Sequence, residues 1–198
     1  MHTSDPRLVR LSLACQVMAV FSLGWMAGFF ATYSGNVSPA LAGLDGATYA
    51  VVQSTLNRHV RHAAFFASFF LPPLWCVLAL LAGWRGRGAW GGYVLAAALL
   101  YALGIVLFTR QVNLPLNAYT ESWSPQQLPA DWALVRARWN LANHARTAVS
   151  ALAFLLAIVS LACRRPGAGS VPPGRPKGLK PPWGVASAAS LGASFNLR

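Results

Sequence analysis

Of 198 residues, 56% are hydrophobic and only 10% are charged, and mean hydropathy is positive; this points to a membrane protein and away from a soluble core. The formal charge of +12 would suit nucleic acid, but the basic residues collect at the margins of apolar segments, which excludes that partner. The three cysteines, Cys15, Cys76 and Cys163, all lie in apolar segments and imply buried thiols, with no disulfide framework.

Four apolar segments, 11–33, 62–82, 89–108 and 145–163, approach the roughly 20 residues that an α-helix needs to cross a bilayer core. The expected fold is all-α: an integral membrane four-helix bundle with an extracytoplasmic helical cap. Residues 1–10 form a cytoplasmic N-terminus, 11–163 the four-span bundle with outer cap segments 34–61 and 109–144, and 164–198 a disordered basic cytoplasmic tail. The first segment follows Arg7 and Arg10 as a signal peptide would, but it exceeds the apolar length of one and ends in no small-x-small site, so it reads as an uncleaved span. Within it Gly24 and Gly28 have the spacing that lets a second helix approach closely.

The first outer segment contains DGATYAVVQSTLNRHVRH. Tyr49, Gln53, Asn57 and Arg61 recur every four residues beside an apolar stripe of Val52, Leu56 and Val60, as on a helix lying against the bundle. His59 and His62 have a spacing that suits a metal or haem, yet Arg58 and Arg61 flank them and no Asp, Glu or Cys is near, so solvated histidine is the better reading and no metal site is expected. The second span carries Pro72-Pro73, which should kink it.

After the third span comes TRQVNLPLNAYTESW, with two amides around one proline beside an arginine. Ser124-Pro125-Gln126-Gln127 has the form of a capping box, and Asp131 can cap a restart after Pro129. No proline interrupts 132–165, so the fourth span should begin as a long helix well outside the bilayer. On it Trp132, Arg136, Trp139, Asn143 and Arg146 are spaced 4, 3, 4, 3 and share one face. Such a stripe is either an interface anchor or the wall of a polar pocket. Gln53, Asn57, Arg58, Asn113 and Asn117 at the same depth favour the pocket, because amides and arginines near hydrocarbon need partners that a ligand's carbonyl or hydroxyl groups can supply.

Ten of the basic residues fall before the first span, between the second and third, or after the fourth, and six arginines fall on the other side, which places both termini in the cytoplasm; a bacterial plasma membrane is the expected location. No nucleotide loop, nucleophile elbow, HExxH or CxxC is present.

GFFATYSGNVSPALAGL, YAVVQSTLNRHVR, NLPLN and W-x3-R-x-RWNLANHART, in this order over residues 15–162, resemble the anthrone oxygenase-like family, domain-of-unknown-function family 1772. The resemblance implies a small four-span membrane protein. It also implies oxidation of an aromatic, polyketide-like substrate by molecular oxygen with no cofactor. By the same resemblance Asn57 and Arg58, Asn113, Pro115 and Asn117, and Trp139, Asn143 and Arg146 match the family's short motifs, while His144 follows the N-H-x-R form of part of it. The implied roles are His144 as base, Arg146 or Arg136 at the enolate, Asn113 and Asn117 as a hydrogen-bonding clamp, and Trp132 or Trp139 as a flat wall, with NLPLN as a pocket lip. The expected partners are membrane lipid and a hydrophobic aromatic small molecule. A non-enzymatic protein that binds a lipid, quinone or partner subunit through the same polar mouth is the competing reading.

Overall fold

The computed structural model describes residues 5–86 and 88–164. The tail expected from residue 164 onward lies, Arg164 excepted, outside the described residues.

The described chain is all-α. Helix α1 spans Pro6–Thr32, with Asp5 as its cap: the carboxylate accepts from Arg7 N–H at 2.8 Å, and Pro6 stands where no intrahelical N–H is needed. A π-helical turn, Tyr33–Val37, carries the same run into α2, Ser38–Ala42. Helix α3, Gly46–His59, is capped by Asp45, whose carboxylate accepts from Thr48 N–H at 3.0 Å and from the Thr48 hydroxyl at 2.7 Å. These bonds favour the ionised form and hold Asp45 below the ordinary aspartate range. Helix α4 spans Ala63–Ala82, capped by His62 Nδ1, which accepts from Phe65 N–H.

Helix α5, Ala89–Tyr101, passes through two π-helical segments, Ala102–Leu107 and Thr109–Asn113, into α6, Leu114–Glu121. NLPLN is therefore helical and forms no loop. Pro115 falls at the start of α6, where a missing N–H costs least. The helix expected from SPQQ does not form: Ser124 and Gln127 make an isolated antiparallel bridge and the Ser124 hydroxyl donates to Gln126 Oε1. Helix α7, Trp132–Ala162, follows in one piece. Asp131 precedes it but caps nothing with its side chain, because its carboxylate accepts from the Tyr119 hydroxyl at 3.0 Å.

Among the described residues, four helical runs are long and apolar enough to cross a membrane: Pro6–Ala42 (37 residues), Ala63–Ala82 (20), Ala89–Glu121 (33) and Trp132–Ala162 (31). The chain is an integral membrane protein. Helix α1 packs on α4 and α7, and α5 packs on the same two, so the four form a ring with antiparallel neighbours. Leu23, Met26, Phe30, Cys76, Val94, Tyr101 and Ile105 fill its centre, and Ala19, Ala97, Ala153 and Ala157 let the backbones approach. Gly24 makes such an approach, since a Cβ there would lie 2.8 Å from the Phe154 ring, whereas a Cβ on Gly28 would meet nothing.

The end that holds both described termini is tied by polar bonds. Gln16 Nε2 donates to Ser160 Oγ at 2.7 Å, Arg164 donates to Gln16 Oε1 at 2.5 Å and stacks over Trp90, and Ser12 Oγ donates to the Ala79 carbonyl at 2.8 Å. Helix α4 runs through Pro72-Pro73 as one α-helix. Pro73 has no N–H for the Phe69 carbonyl, and the Tyr101 hydroxyl supplies the missing donor at 3.1 Å.

Candidate functional site

A helix rises about 1.5 Å per residue, so the 20 residues of α4 reach roughly 30 Å while the runs beside it reach roughly 45–55 Å. Where α4 stops short, its neighbours continue, and α3 lies over the gap. A cavity of about 1120 Å³ occupies that notch. Its walls come from α1 (Phe29, Phe30), the π-helical turn after it (Tyr33), the end of α3 (Leu56, Asn57, His59), the start of α4 (Phe65, Phe66, Phe69, Phe70), the α5–α6 run (Val106, Thr109, Arg110, Leu114, Asn117, Glu121) and α7 (Trp139, Asn143, Arg146).

One side of the cavity is aromatic. Phe65 stands between Phe29 and Phe69, with ring centroids 5.4 and 5.6 Å away, and Phe69 is held by the bond that Tyr101 makes to its carbonyl. The other side is a polar lattice that joins the π-helical turn after α1 to α3, α6 and α7. Tyr33 donates to Gln53 Oε1 at 2.7 Å, Gln53 Nε2 to Asn57 Oδ1 at 2.9 Å, and Asn57 Nδ2 to Thr120 Oγ1 at 3.3 Å. Trp139 Nε1 donates to Asn117 Oδ1 at 2.7 Å, and its ring lies 4.7 Å from that of Tyr33. Asn143 Nδ2 donates to Ser34 Oγ at 2.8 Å, and Ser34 and Thr147 share a hydrogen bond.

Arg146 sits at the inner end and is only 8% exposed. Its Nη2 donates to Asn143 Oδ1 at 2.7 Å, its Nη1 is 3.5 Å from Thr109 Oγ1, and its guanidinium lies over the rings of Phe30 and Trp139 at 4.8 and 5.9 Å. Its Nε has no partner. The carboxylate that lines the cavity, Glu121, is paired with Arg61. Arg146 is thus a buried cation with amide, hydroxyl and ring neighbours and no counter-charge among the described residues. No three His, Cys, Asp or Glu side chains of the described residues come together as a metal-holding group.

The residues expected at the site separate into four groups. Asn57, Asn117, Trp139, Asn143 and Arg146 line the cavity together. Gln53 and Asn113 are buried behind the wall. Gln53 is a link in the polar lattice, and Asn113 lies one helical turn from both Thr109 and Asn117 with neither side-chain atom bonded. Arg136 and Trp132 lie in the cap, outside the cavity: Arg136 stacks over Trp132 and Tyr49 at 4.8 and 5.4 Å and reaches the Leu44 carbonyl at 3.4 Å. Burial there pushes the Tyr49 phenol above its ordinary range. Arg58 and His144 are exposed and do not line the cavity, because each follows an inward-facing residue by the 100° of one helical step. His144 is therefore not placed to act as the base, nor Arg136 to hold an enolate. Tyr33, Thr109, Glu121 and His59 line the cavity without having been singled out for it.

Comparison with known protein families matches residues 57–156 to the anthrone oxygenase family, just over half of the 198-residue chain. The chain belongs to the anthrone oxygenase family. No curated protein and no solved structure matches it. The part matched to the anthrone oxygenase family begins at Asn57 and takes in α4, the α5–α6 run and most of α7. It contains Arg146 and every cavity residue except Leu56 and those of α1 and the π-helical turn after it.

Proposed function

We propose that the cavity binds a flat aromatic, polyketide-like ring ketone as its enolate and presents it to dioxygen without a cofactor. Such a ketone, an anthrone, has a CH₂ group made acidic by the conjugated carbonyl. Loss of one proton gives an electron-rich enolate, which transfers electrons to O₂. The carbon–oxygen bond formed gives a hydroperoxide, and loss of water from it leaves a second carbonyl. One ring ketone and one O₂ become one quinone and one water, so no further reductant is required.

The observation that carries this reading is Arg146, a buried guanidinium without a carboxylate partner among the described residues. Buried charges are ordinarily paired, and a membrane environment makes an unpaired one costly. An enolate oxygen supplies the missing charge and the acceptor for Nε, and the guanidinium stabilises it as the proton leaves. Trp139, Tyr33 and the α4 phenylalanines suit a flat ring. His59 and Glu121 are the cavity's imidazole and carboxylate and its candidate proton acceptors.

Oxygen uptake by the purified protein in phosphatidylcholine nanodiscs tests the reading, with anthrone as substrate and empty nanodiscs as the baseline for spontaneous oxidation. The expected result is protein-dependent consumption of one O₂ per quinone formed. Saturable binding without faster uptake would instead favour the competing reading, a non-catalytic binder of ring compounds, quinones or lipids. In this proposal both termini are cytoplasmic and the cavity opens at the outer face, a reading supported by the basic residues at the opposite end.

A further inference from the structure

Among the described residues, three arginines and a single carboxylate line the cavity, and that carboxylate, Glu121, is already paired with Arg61. Two guanidinium groups are left over. Arg146 is the inner one. The other is Arg110, which is exposed, has no hydrogen bond or ion pair among the described residues, and stands directly after Thr109, the residue that meets Arg146. Arg110 follows Thr109 by one residue of the π-helical segment, so it leaves the helix in another direction close to the same depth, and it lines the cavity as an exposed side chain. The mouth itself is apolar: Phe66, Phe70 and Leu114 line the cavity and are 45%, 52% and 48% exposed, on helices that face lipid.

Arginine near a span end ordinarily snorkels to the interface with its charge turned to water. Here the charge borders an apolar opening, and the charge count inside is unbalanced by two. We infer that the ligand is a doubly anionic ring compound: its enolate or phenolate oxygen meets Arg146, and a second acidic substituent, a carboxylate remote from the reacting carbonyl, meets Arg110 at the mouth. Planar guanidinium suits a carboxylate because it can donate two parallel bonds. The ring body enters between α4 and the α5–α6 run from the bilayer, while the carboxylate stays at the level where headgroups and water begin. This inference rests on the cavity's being a ring-binding site.

The test compares two stable ring probes, 1,8-dihydroxyanthraquinone and its 3-carboxylate, by equilibrium dialysis against the full chain in phosphatidylcholine nanodiscs. The wild type should prefer the carboxylate by on the order of tenfold at low salt, and the preference should shrink at high salt. Arg110→Gln should abolish the preference while keeping affinity for the uncharged-edge probe, and Arg110→Lys should keep part of it. Arg138→Gln removes an exposed charge outside the cavity and should leave the preference intact, which separates a local contact from a general positive field. Equal binding of the two probes by the wild type, or a preference that survives Arg110→Gln, overturns the role of Arg110 alone. Failure of both probes to bind, or indifference of both to Arg146→Gln, overturns the ring-binding reading and this inference with it.

Discussion

Arg146→Met is the substitution that best separates a ligand site from a structural anchor. Methionine approximates the length of the arginine stem and removes the charge. At the centre of a membrane helix an arginine costs about 2.5–3.5 kcal/mol, and Arg146, midway along α7 and only 8% exposed, bears much of that. Opposing it are a charge-assisted bond to Asn143, worth about 1.5–3 kcal/mol, and ring contacts with Phe30 and Trp139 at about 0.5–2 kcal/mol each. The two sides nearly cancel, and the Asn143 oxygen left without a donor costs about 1–3 kcal/mol. The unliganded variant should therefore unfold within about 2 kcal/mol of wild type. Ligand binding or turnover faces no such cancellation, because the contact to a developing oxyanion is simply lost, at about 2.7–4 kcal/mol, or about a hundred- to a thousandfold. Thermal unfolding in detergent and oxygen uptake per folded molecule read the two effects separately. A variant that unfolds far more easily and yet keeps full uptake per folded molecule would refute the assignment of Arg146 to the ligand.

Other positions give independent checks. Tyr101→Phe should lower stability by about 1–3 kcal/mol, read by thermal unfolding, because the Phe69 carbonyl that Pro73 leaves without a donor then has none. Gly83→Ala should cost about 1–3 kcal/mol without changing ligand affinity per folded molecule, since its Cβ would fall 2.5 Å from the Trp90 ring and 2.6 Å from Ser12 Oγ, at the end away from the cavity. Asp45 is held below the ordinary aspartate range, so its cap is fully present above the unfolded pKa and is lost as pH falls through the lower folded one. Protection of the first-turn amides of α3, measured as hydrogen exchange relative to the intrinsic rate at each pH, should accordingly fall on acidification, and Asp45→Asn should remove that pH dependence of protection. Reporter fusions at residues 45, 87, 120 and 170 should read out, in, out, in.

The spans were legible because apolar length is a property of composition, and the inward face of α7 was legible because Trp139, Asn143 and Arg146 repeat at helical spacing. The same stripe misled above Trp139. Arg136 and Trp132 continue it geometrically, but α7 outruns the cavity, so their part of the face meets the cap cluster around Tyr49 and Leu41. His144 was drawn in by its position within a motif, although one step along a helix turns a side chain by 100°. The continuation of α5 through NLPLN was hidden by its proline and two asparagines, which signal a turn when read locally. Their helical outcome depends on π-helical segments and on bonds from α7 to Thr109 and Asn117, which no local pattern announces. Tyr33 left no periodic trace because its own π-helical turn breaks the 3.6-residue register.

The shortness of α4 has a consequence for how this architecture can change. The chamber exists because one pillar is lower than the other three, so its depth is set by where α4 begins. Each residue added to or removed from that start, with α3 shifting along, would alter the chamber by about 1.5 Å without disturbing the packing at the opposite end of the ring. Chamber size is thus decoupled from the rest of the scaffold, and chains of this build can accommodate larger or smaller guests through length variation at a single junction.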